Sequence, residues 1–362
     1  MKNLCKSICF AKKRNNIPIL PILKKYRHII IFLLIQCLIV SGCGILDPLL
    51  SGSTNQDSQN TENSPTRMAR ATPSPTLSPS PTPSPTPSPS PTPSPTPAPY
   101  AEMSNYFPNQ GELVGFTLYW ADPEAEYELV DEEFAEPIET YRRGDDQLAL
   151  IPIVTSSTVG VRYLDVVEIR RDERRIMFTL EYTVQNVNFT RQDLTATTEM
   201  SSLLTDDNRR HDQEKIAHAK SASVPYPLWH GLFIQPVEGR ISTEFGQVRY
   251  TNGVYSSRHD AIDIAIAEGT EIAAPAAGRV VLAEHLFISG NAVYIDHGMW
   301  LFTSYLHMHE IFVSVGDEVK AGDIIGTVGT TGYSTGPHLH YQAAIRNQNI
   351  NPDHLKEILL FE

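Results

Sequence analysis

Short runs of apolar and β-branched residues, cut by turn residues, organise most of this chain; a 3.6-residue repeat is rare in it. Between residues 100 and 189 the runs "ELVGFTLYW", "QLALIPIV", "LDVVEIRR" and "RIMFTLEYTV" alternate in part, with turn signals such as Arg143-Gly144-Asp145 between them. That spacing predicts a small accessory domain resembling an antiparallel β-sandwich. Its acidic cluster "DEEFAE" reads as a solvated face. Residues 190–228 are charged with helical propensity and read as a connecting helix or extended linker, with His211 and His218 on its surface. From 229 to 362 the runs "LFIQPVEGRISTEFG", "GTEIAAPAAGRVVLAE", "NAVYIDHG", "LFTSYLHM" and "DIIGTVGTTG" are punctuated by glycines, which predicts a compact, mostly antiparallel sheet domain. The fold class is therefore mostly β.

The first hundred residues follow other rules. Ile29 to Val40 is an apolar run of 12 residues, short of the roughly 20 needed to span a bilayer and suited to the core of a signal peptide. Residues 1–42 read as that signal peptide. Val40-Ser41-Gly42-Cys43 resembles the bacterial lipobox, which implies a lipid-modified Cys43 anchored in the outer leaflet; the alternative is an unprocessed membrane anchor. Residues 43–99 read as a disordered Ser/Thr/Pro-rich linker. From Pro73 to Pro99 proline occupies nearly every second position, which enforces polyproline II and gives a spacer reaching on the order of 80 Å.

Charge and cysteine usage narrow the function classes. The first 42 residues carry eight basic side chains and no acid, and removing those eight from the net charge of -13 leaves the remainder at -21. So acidic a body repels a phosphate backbone, which excludes nucleic acid as a partner. All four cysteines, Cys5, Cys9, Cys37 and Cys43, precede residue 44. A cysteine-ligated zinc site downstream is thereby excluded.

Histidines carry the candidate chemistry: eight of the twelve fall between His259 and His354. In "STGPHLHYQ", His338 and His340 stand at i and i+2, so on a strand both point to one face. His259 and Asp263, in "HDAIDIAI", are four apart on what reads as an extended segment, again of one parity. If the two strands adjoin, His259, Asp263 and His340 converge as two imidazoles and a carboxylate, a set that leaves an open position on Zn²⁺. Spacing alone leaves a second reading open, in which HxH is a pair of half-buried histidines bonded to backbone.

The run from His259-x-Ala261-x-Asp263 through "EGTEIAAPAAGRV", "GNAVYIDHG", "TSYLHM" and "VGDEVKAGDIIGTVGTTGYSTGPHLHYQ" to "NP" closely resembles the LytM/lysostaphin-type zinc endopeptidases, the M23 peptidases, over about Phe233 to Pro352. The resemblance implies one zinc ion held by His259, Asp263 and His340. It also implies that His307, in Tyr305-Leu306-His307, and His338 flank the metal and act on the substrate, with their roles undivided. Zinc would bring the pKa of a water toward about 7 and polarise the scissile carbonyl, while the two imidazoles move protons and stabilise the oxyanion.

Two departures stand out: Ala261 replaces the family's glycine, and Gln342 its common glutamate. Tyr250 and Tyr255 are candidates to reach the oxyanion, or else buried structural tyrosines. His309 is either an exposed residue or part of the groove, and His285 and His297 read as structural. Gly326, Gly329, Gly332 and Gly336 are expected to serve turns at positive φ and close approach of a peptide.

The expected protein is thus a monomeric, lipid-anchored, extracytoplasmic zinc endopeptidase acting on peptidoglycan peptides. Two alternatives are a catalytically silent regulator of other wall hydrolases and a stalked wall-binding adaptor working through residues 100–189.

Overall fold

A computed structural model describes residues 97–362 except 172, 196 and 362. The expected signal peptide, Cys43 and most of the proline-rich linker lie outside the described residues. The front domain is two four-stranded antiparallel sheets. One runs in the order Tyr100–Met103, Leu113–Tyr119, Asp146–Pro152, Tyr141–Arg143; the other runs Ile138–Glu139, Glu126–Val130, Gly160–Arg170, Glu173–Val184. Each predicted run became a strand within a few residues of its expected ends. Gly144 makes the predicted turn at φ +62°. Val114, Phe116, Leu118, Leu129, Ile151, Leu164 and Val166 from the two sheets share one core, which makes the domain a sandwich.

The "DEEFAE" cluster departs from expectation. Asp131 is buried rather than solvated, because Arg162 pairs with it and the Tyr182 hydroxyl donates to its Oδ2 at 2.7 Å. The Glu133 amide takes Oδ1 at 2.9 Å. A buried carboxylate is tolerated only when its lone pairs are all engaged, as here.

In the C-terminal domain the main sheet runs Arg240–Thr243, Ile262–Ala265, His338–Ile345, Leu301–Met308, Gly290–Asp296, Gly278–Leu286, Glu318–Val319, with Gln348–Ile350 added beside His338–Ile345. Every pairing in it is antiparallel. One face buries Val280, Val293, Ile295, Tyr305, Leu339 and Tyr341. The opposite face carries a smaller cluster of Leu282, Leu286, Tyr294 and Leu306, against which Ile216 and Ala219 pack. Those two belong to the helix Asp206–Ala219, which Thr205 caps by accepting from the Asn208 amide. The charged segment 190–228 thus contains the expected helix, and it also contains a strand, Arg191–Leu194, paired in parallel with Val248–Thr251.

The two domains are joined by packing as well as by the chain. Leu113, Leu148 and Leu150 of the front domain share a core with Trp229, Phe233, Met299, Leu301, Ile350 and Leu355. A Cβ at Gly115 would lie 2.0 Å from the Leu360 carbonyl oxygen, so this position needs glycine for the contact to close. His354, which carried no signal in the sequence, accepts the Leu113 amide on Nδ1 at 3.2 Å.

His297 is structural, as expected. Its Nδ1–H donates to the Ala277 carbonyl at 2.8 Å, and its Nε2 accepts from the Thr303 hydroxyl at 2.8 Å. Burial pulls it down to about 4.

Two outcomes follow from these buried polar groups. Asp131→Ala leaves the Tyr182 hydroxyl without its acceptor and the buried Arg162 with Glu133 alone, and should cost about 3 kcal/mol in urea unfolding, whereas exposed Glu136→Ala should stay within about 0.5 kcal/mol. Because His297 titrates lower in the folded state than in the unfolded chain, the unfolded state binds the extra proton between pH 6.5 and about 4. Stability of the metal-free protein should therefore fall as pH drops through that window, by up to about 1.4 kcal/mol per pH unit for this group. His297→Gln should flatten that slope, and an unchanged slope would remove His297 as its source.

Candidate metal centre

The strand His338–Ile345 lies between Ile262–Ala265 and Leu301–Met308. Its register sets Asp263 directly opposite His340, and residues facing each other in an antiparallel pair share a face of the sheet. One residue further along, Tyr341 points to the other face and stacks on Tyr305 in the core, ring centroids 5.5 Å apart. The expectation of an extended segment from His259 to Asp263 is corrected here. The strand begins at Ile262, and His259 precedes it, pinned by its amide on the Gln247 carbonyl at 2.8 Å and its carbonyl on the Gly246 amide at 2.7 Å. Those cross-chain bonds, not strand parity, bring His259 into the site.

Three donor atoms converge. His340 Nδ1 is 2.8 Å from Asp263 Oδ1, His259 Nε2 is 3.0 Å from the same oxygen, and the two nitrogens are 3.3 Å apart. A tetrahedral zinc site with bonds of about 2.0–2.2 Å has ligand–ligand edges of about 3.3–3.6 Å, so the two edges to Asp263 Oδ1 need to widen by roughly half an ångström and the nitrogen–nitrogen edge hardly at all. The protonation pattern is the stronger test. His259 Nδ1 lies 3.2 Å from the Glu244 carbonyl and Nε2 3.0 Å from Asp263 Oδ1; both neighbours can only accept, and a neutral imidazole has one hydrogen to give. With the hydrogen on Nδ1, the Nε2 lone pair faces a carboxylate oxygen, acceptor against acceptor, a contact that a cation relieves. Protonating the ring instead is disfavoured, because burial pulls His259 down to about 4. Burial also acts to raise Asp263, but the adjoining imidazoles of His259 and His340 outweigh it and the carboxyl is displaced downward. The donor set fits a cation.

His307 and His338 border this triangle. Tyr305 packs into the core, and strict alternation would send His307 after it; instead His307 adopts φ +62°, and its ring lies 5.0 Å from His338 and 5.8 Å from His340. A left-handed histidine costs on the order of 1–2 kcal/mol and persists only where its surroundings impose it. Here the His307 amide donates to the Ser289 carbonyl at 2.9 Å, and Nδ1–H donates to the Thr331 carbonyl at 2.8 Å. His338 is held alike, Nδ1–H to the Gly336 carbonyl at 2.8 Å. In both rings the nitrogen left for chemistry is Nε2; that of His338 is 3.8 Å from Asp263 Oδ1. Burial, then the neighbouring His340 and His338, pull His307 down to about 3, so it is neutral at working pH.

The site opens into a cleft of about 360 Å³ whose lining residues fall between Gln192 and His340; none comes from the front domain. A larger cavity of about 1050 Å³, between the Tyr127 and Trp300 regions, holds no such convergence of ligating groups among the described residues.

Several cleft residues carried no sequence signal, because only the fold brings them in. Tyr333 lines it. Arg249 donates from Nη2 to Asp263 Oδ2 at 2.9 Å and from Nε to Gln192 Oε1 at 2.8 Å. On the other side, Asp212 of the helix Asp206–Ala219 accepts the amides of Phe287 at 3.0 Å and Ile288 at 2.8 Å, fixing the turn that supplies the Ser289 carbonyl to His307.

Neither candidate tyrosine is buried. Tyr255 is exposed, and Tyr250 lies under the Arg191 guanidinium, 3.8 Å from its ring centroid. His309 is exposed and pairs with Glu268 at 3.0 Å. His285, read as structural, is exposed on the strand Gly278–Leu286 and meets the Asn291 side chain. Gln342 spans Ser304 and the Asp260 carbonyl, bracing the backbone next to His259. Of the four glycines, Gly332 has φ +71° and a Cβ there would lie 2.3 Å from the Gly290 amide, whereas Gly336 is neither crowded nor at positive φ.

Residues 257–352 match the model for Peptidase family M23. An uncharacterized metalloprotease of Buchnera aphidicola is 41% identical over 35% of this chain and 36% of its own length. The peptidoglycan DD-endopeptidase ShyA of Vibrio cholerae is 40% identical over 26% of this chain and 22% of its own. The chain thus spans about a third or less of these curated relatives. Among solved structures, the catalytic domain of the antimicrobial peptidase lysostaphin from Staphylococcus simulans is 30% identical, covering 34% of this chain and 86% of that one, with a TM-score of 0.26. The part of the chain that builds the His259, Asp263, His340 triangle is a Peptidase family M23 domain.

Proposed function

We propose that this chain is a zinc-dependent endopeptidase that hydrolyses peptide bonds in peptidoglycan. The observation that carries the reading is the convergence of His259 Nε2, Asp263 Oδ1 and His340 Nδ1, with one lone pair facing an anionic oxygen. Two imidazoles and a carboxylate, with no cysteine among the described residues, are the donor set of a hydrolytic zinc site rather than a structural one. Zinc held there would acidify a water and polarise the scissile carbonyl. Neutral His307, its Nδ1–H tied to Thr331, presents Nε2 as the acceptor for the proton leaving the attacking water. His338, fixed through Gly336, presents Nε2 to the same space and in its doubly protonated form would donate a hydrogen bond to the oxyanion. As the water oxygen bonds to the carbonyl carbon and the C–N bond breaks, the proton taken by His307 passes to the departing amine.

Peptidoglycan as substrate is supported by the name of the Vibrio cholerae relative, a peptidoglycan DD-endopeptidase. The apolar run Ile29 to Val40 followed by Cys43, and the proline-rich stretch after it, support a chain anchored by lipid outside the cytoplasm. A silent regulator is the weaker reading, because all five site side chains are present and meet.

Mass spectrometry of fragments released from purified peptidoglycan by the zinc-loaded protein tests this. Defined hydrolysed cross-link peptides are expected, and their absence across several wall chemistries would remove the endopeptidase reading. His340→Ala should abolish zinc retention and release together. His307→Ala and His338→Ala should each retain zinc and lower kcat by about 10²–10⁴; full activity in either would end its proposed role.

A further inference from the structure

The two oxygens of Asp263 have different neighbours. Oδ1 faces His259, His340 and His338, whereas Oδ2 is taken by Arg249 Nη2 at 2.9 Å. Torsion about the bond to a carboxylate is broad and nearly two-fold, so without a partner on Oδ2 either oxygen, or both, could turn toward a cation. A guanidinium is planar and its donors are fixed relative to one another, so it sets the carboxylate plane as well as its charge.

Arg249 is itself held from outside the core of the peptidase domain. Its Nε donates to Gln192 Oε1 at 2.8 Å, and Gln192 Nε2 donates to the Thr243 hydroxyl at 2.9 Å. Gln192 lies on the strand Arg191–Leu194, where it is the register partner of Arg249, and Thr243 is the register partner of Asp263. The contacts therefore close a ring: Asp263, Arg249, Gln192 and Thr243, with Thr243 adjacent to Asp263 across the ladder. Thr243 and Asp263 are buried and Arg249 is mostly so, which gives the ring little freedom to relax.

We propose that Gln192 and Arg249 are positioning residues of the metal centre: the linker strand orients Arg249 through Gln192, and Arg249 holds Asp263 so that Oδ1 alone is offered to the cation. This rests on the metal-centre reading above. The consequence is a monodentate aspartate and a position kept open for water and substrate. Loss of either residue frees Oδ2 to bind alongside Oδ1, filling that position.

Cobalt(II) absorption of the full chain reads this directly, since coordination geometry sets the intensity of its visible bands. The wild-type protein should give the intense bands of a four-coordinate site. Arg249→Gln should lower their molar absorption by about half or more as coordination number rises, and Gln192→Ala should move it in the same direction by less. In the double variant Gln192→Ala should add nothing, because Gln192 acts only through Arg249. Gln192 sits on a short strand at the edge of its sheet, so its variant stays folded even if Arg249→Gln does not; the thermal midpoint of the metal-free protein checks this. Wild-type spectra in folded Gln192→Ala and Arg249→Gln, with cobalt lost in His340→Ala, would overturn the proposal and leave the metal centre standing. No cobalt bound by the wild-type protein would overturn both.

Discussion

The molecule turns on one lone pair facing another. With the His259 ring hydrogen on the Glu244 carbonyl, its second nitrogen meets the Asp263 oxygen with nothing between them. In a buried site such a contact is unfavourable, and a cation between the two atoms reverses its sign. The surrounding architecture holds that arrangement in place. The antiparallel register fixes Asp263 against His340, the hairpin at Gly246 and Gln247 fixes His259, and the aromatic pair Tyr305 and Tyr341 anchors the strands from the opposite face.

Around this centre the chain applies one device repeatedly: each site imidazole apart from His340 gives one nitrogen to a carbonyl and keeps the other for chemistry. Glu244, Thr331 and Gly336 supply those carbonyls to His259, His307 and His338. The bonds fix tautomer and ring plane together, which a side-chain acceptor able to rotate would not. Segments before the M23 domain take part. Asp212 clamps the turn under His307, and Gln192 reaches Arg249. The front domain shares a core with the peptidase domain but keeps clear of the cleft lining.

Much of this was legible in the residues. Alternation in "RIMFTLEYTV" and "QLALIPIV" gave strands because half-buried sheets demand it, and HxH placed His338 and His340 together because a strand has a period of two. What failed did so where tertiary contacts override local pattern. Asp131 sits among acids and reads as solvated, yet Arg162 comes from a strand some thirty residues on to pair with it. His259 and Asp263 appear to share a strand, but the ladder starts between them. Arg249, Gln192 and Asp212 belong to no motif, and their work depends on register partners that no local window contains.

The left-handed backbone at His307 has a consequence for how this position can vary. Imidazole chemistry there is tied to a conformation that asparagine and glycine adopt with ease, and that valine, isoleucine and threonine resist because branching at Cβ crowds the carbonyl. A change to a branched residue would therefore remove the imidazole and also press the chain back toward regular pleating, pulling on the Ser289 contact and the turn behind it. Drift at residue 307 is confined to a narrow set of neighbours, and the path by which such a domain could lose its chemistry while keeping its shape runs through asparagine or glycine.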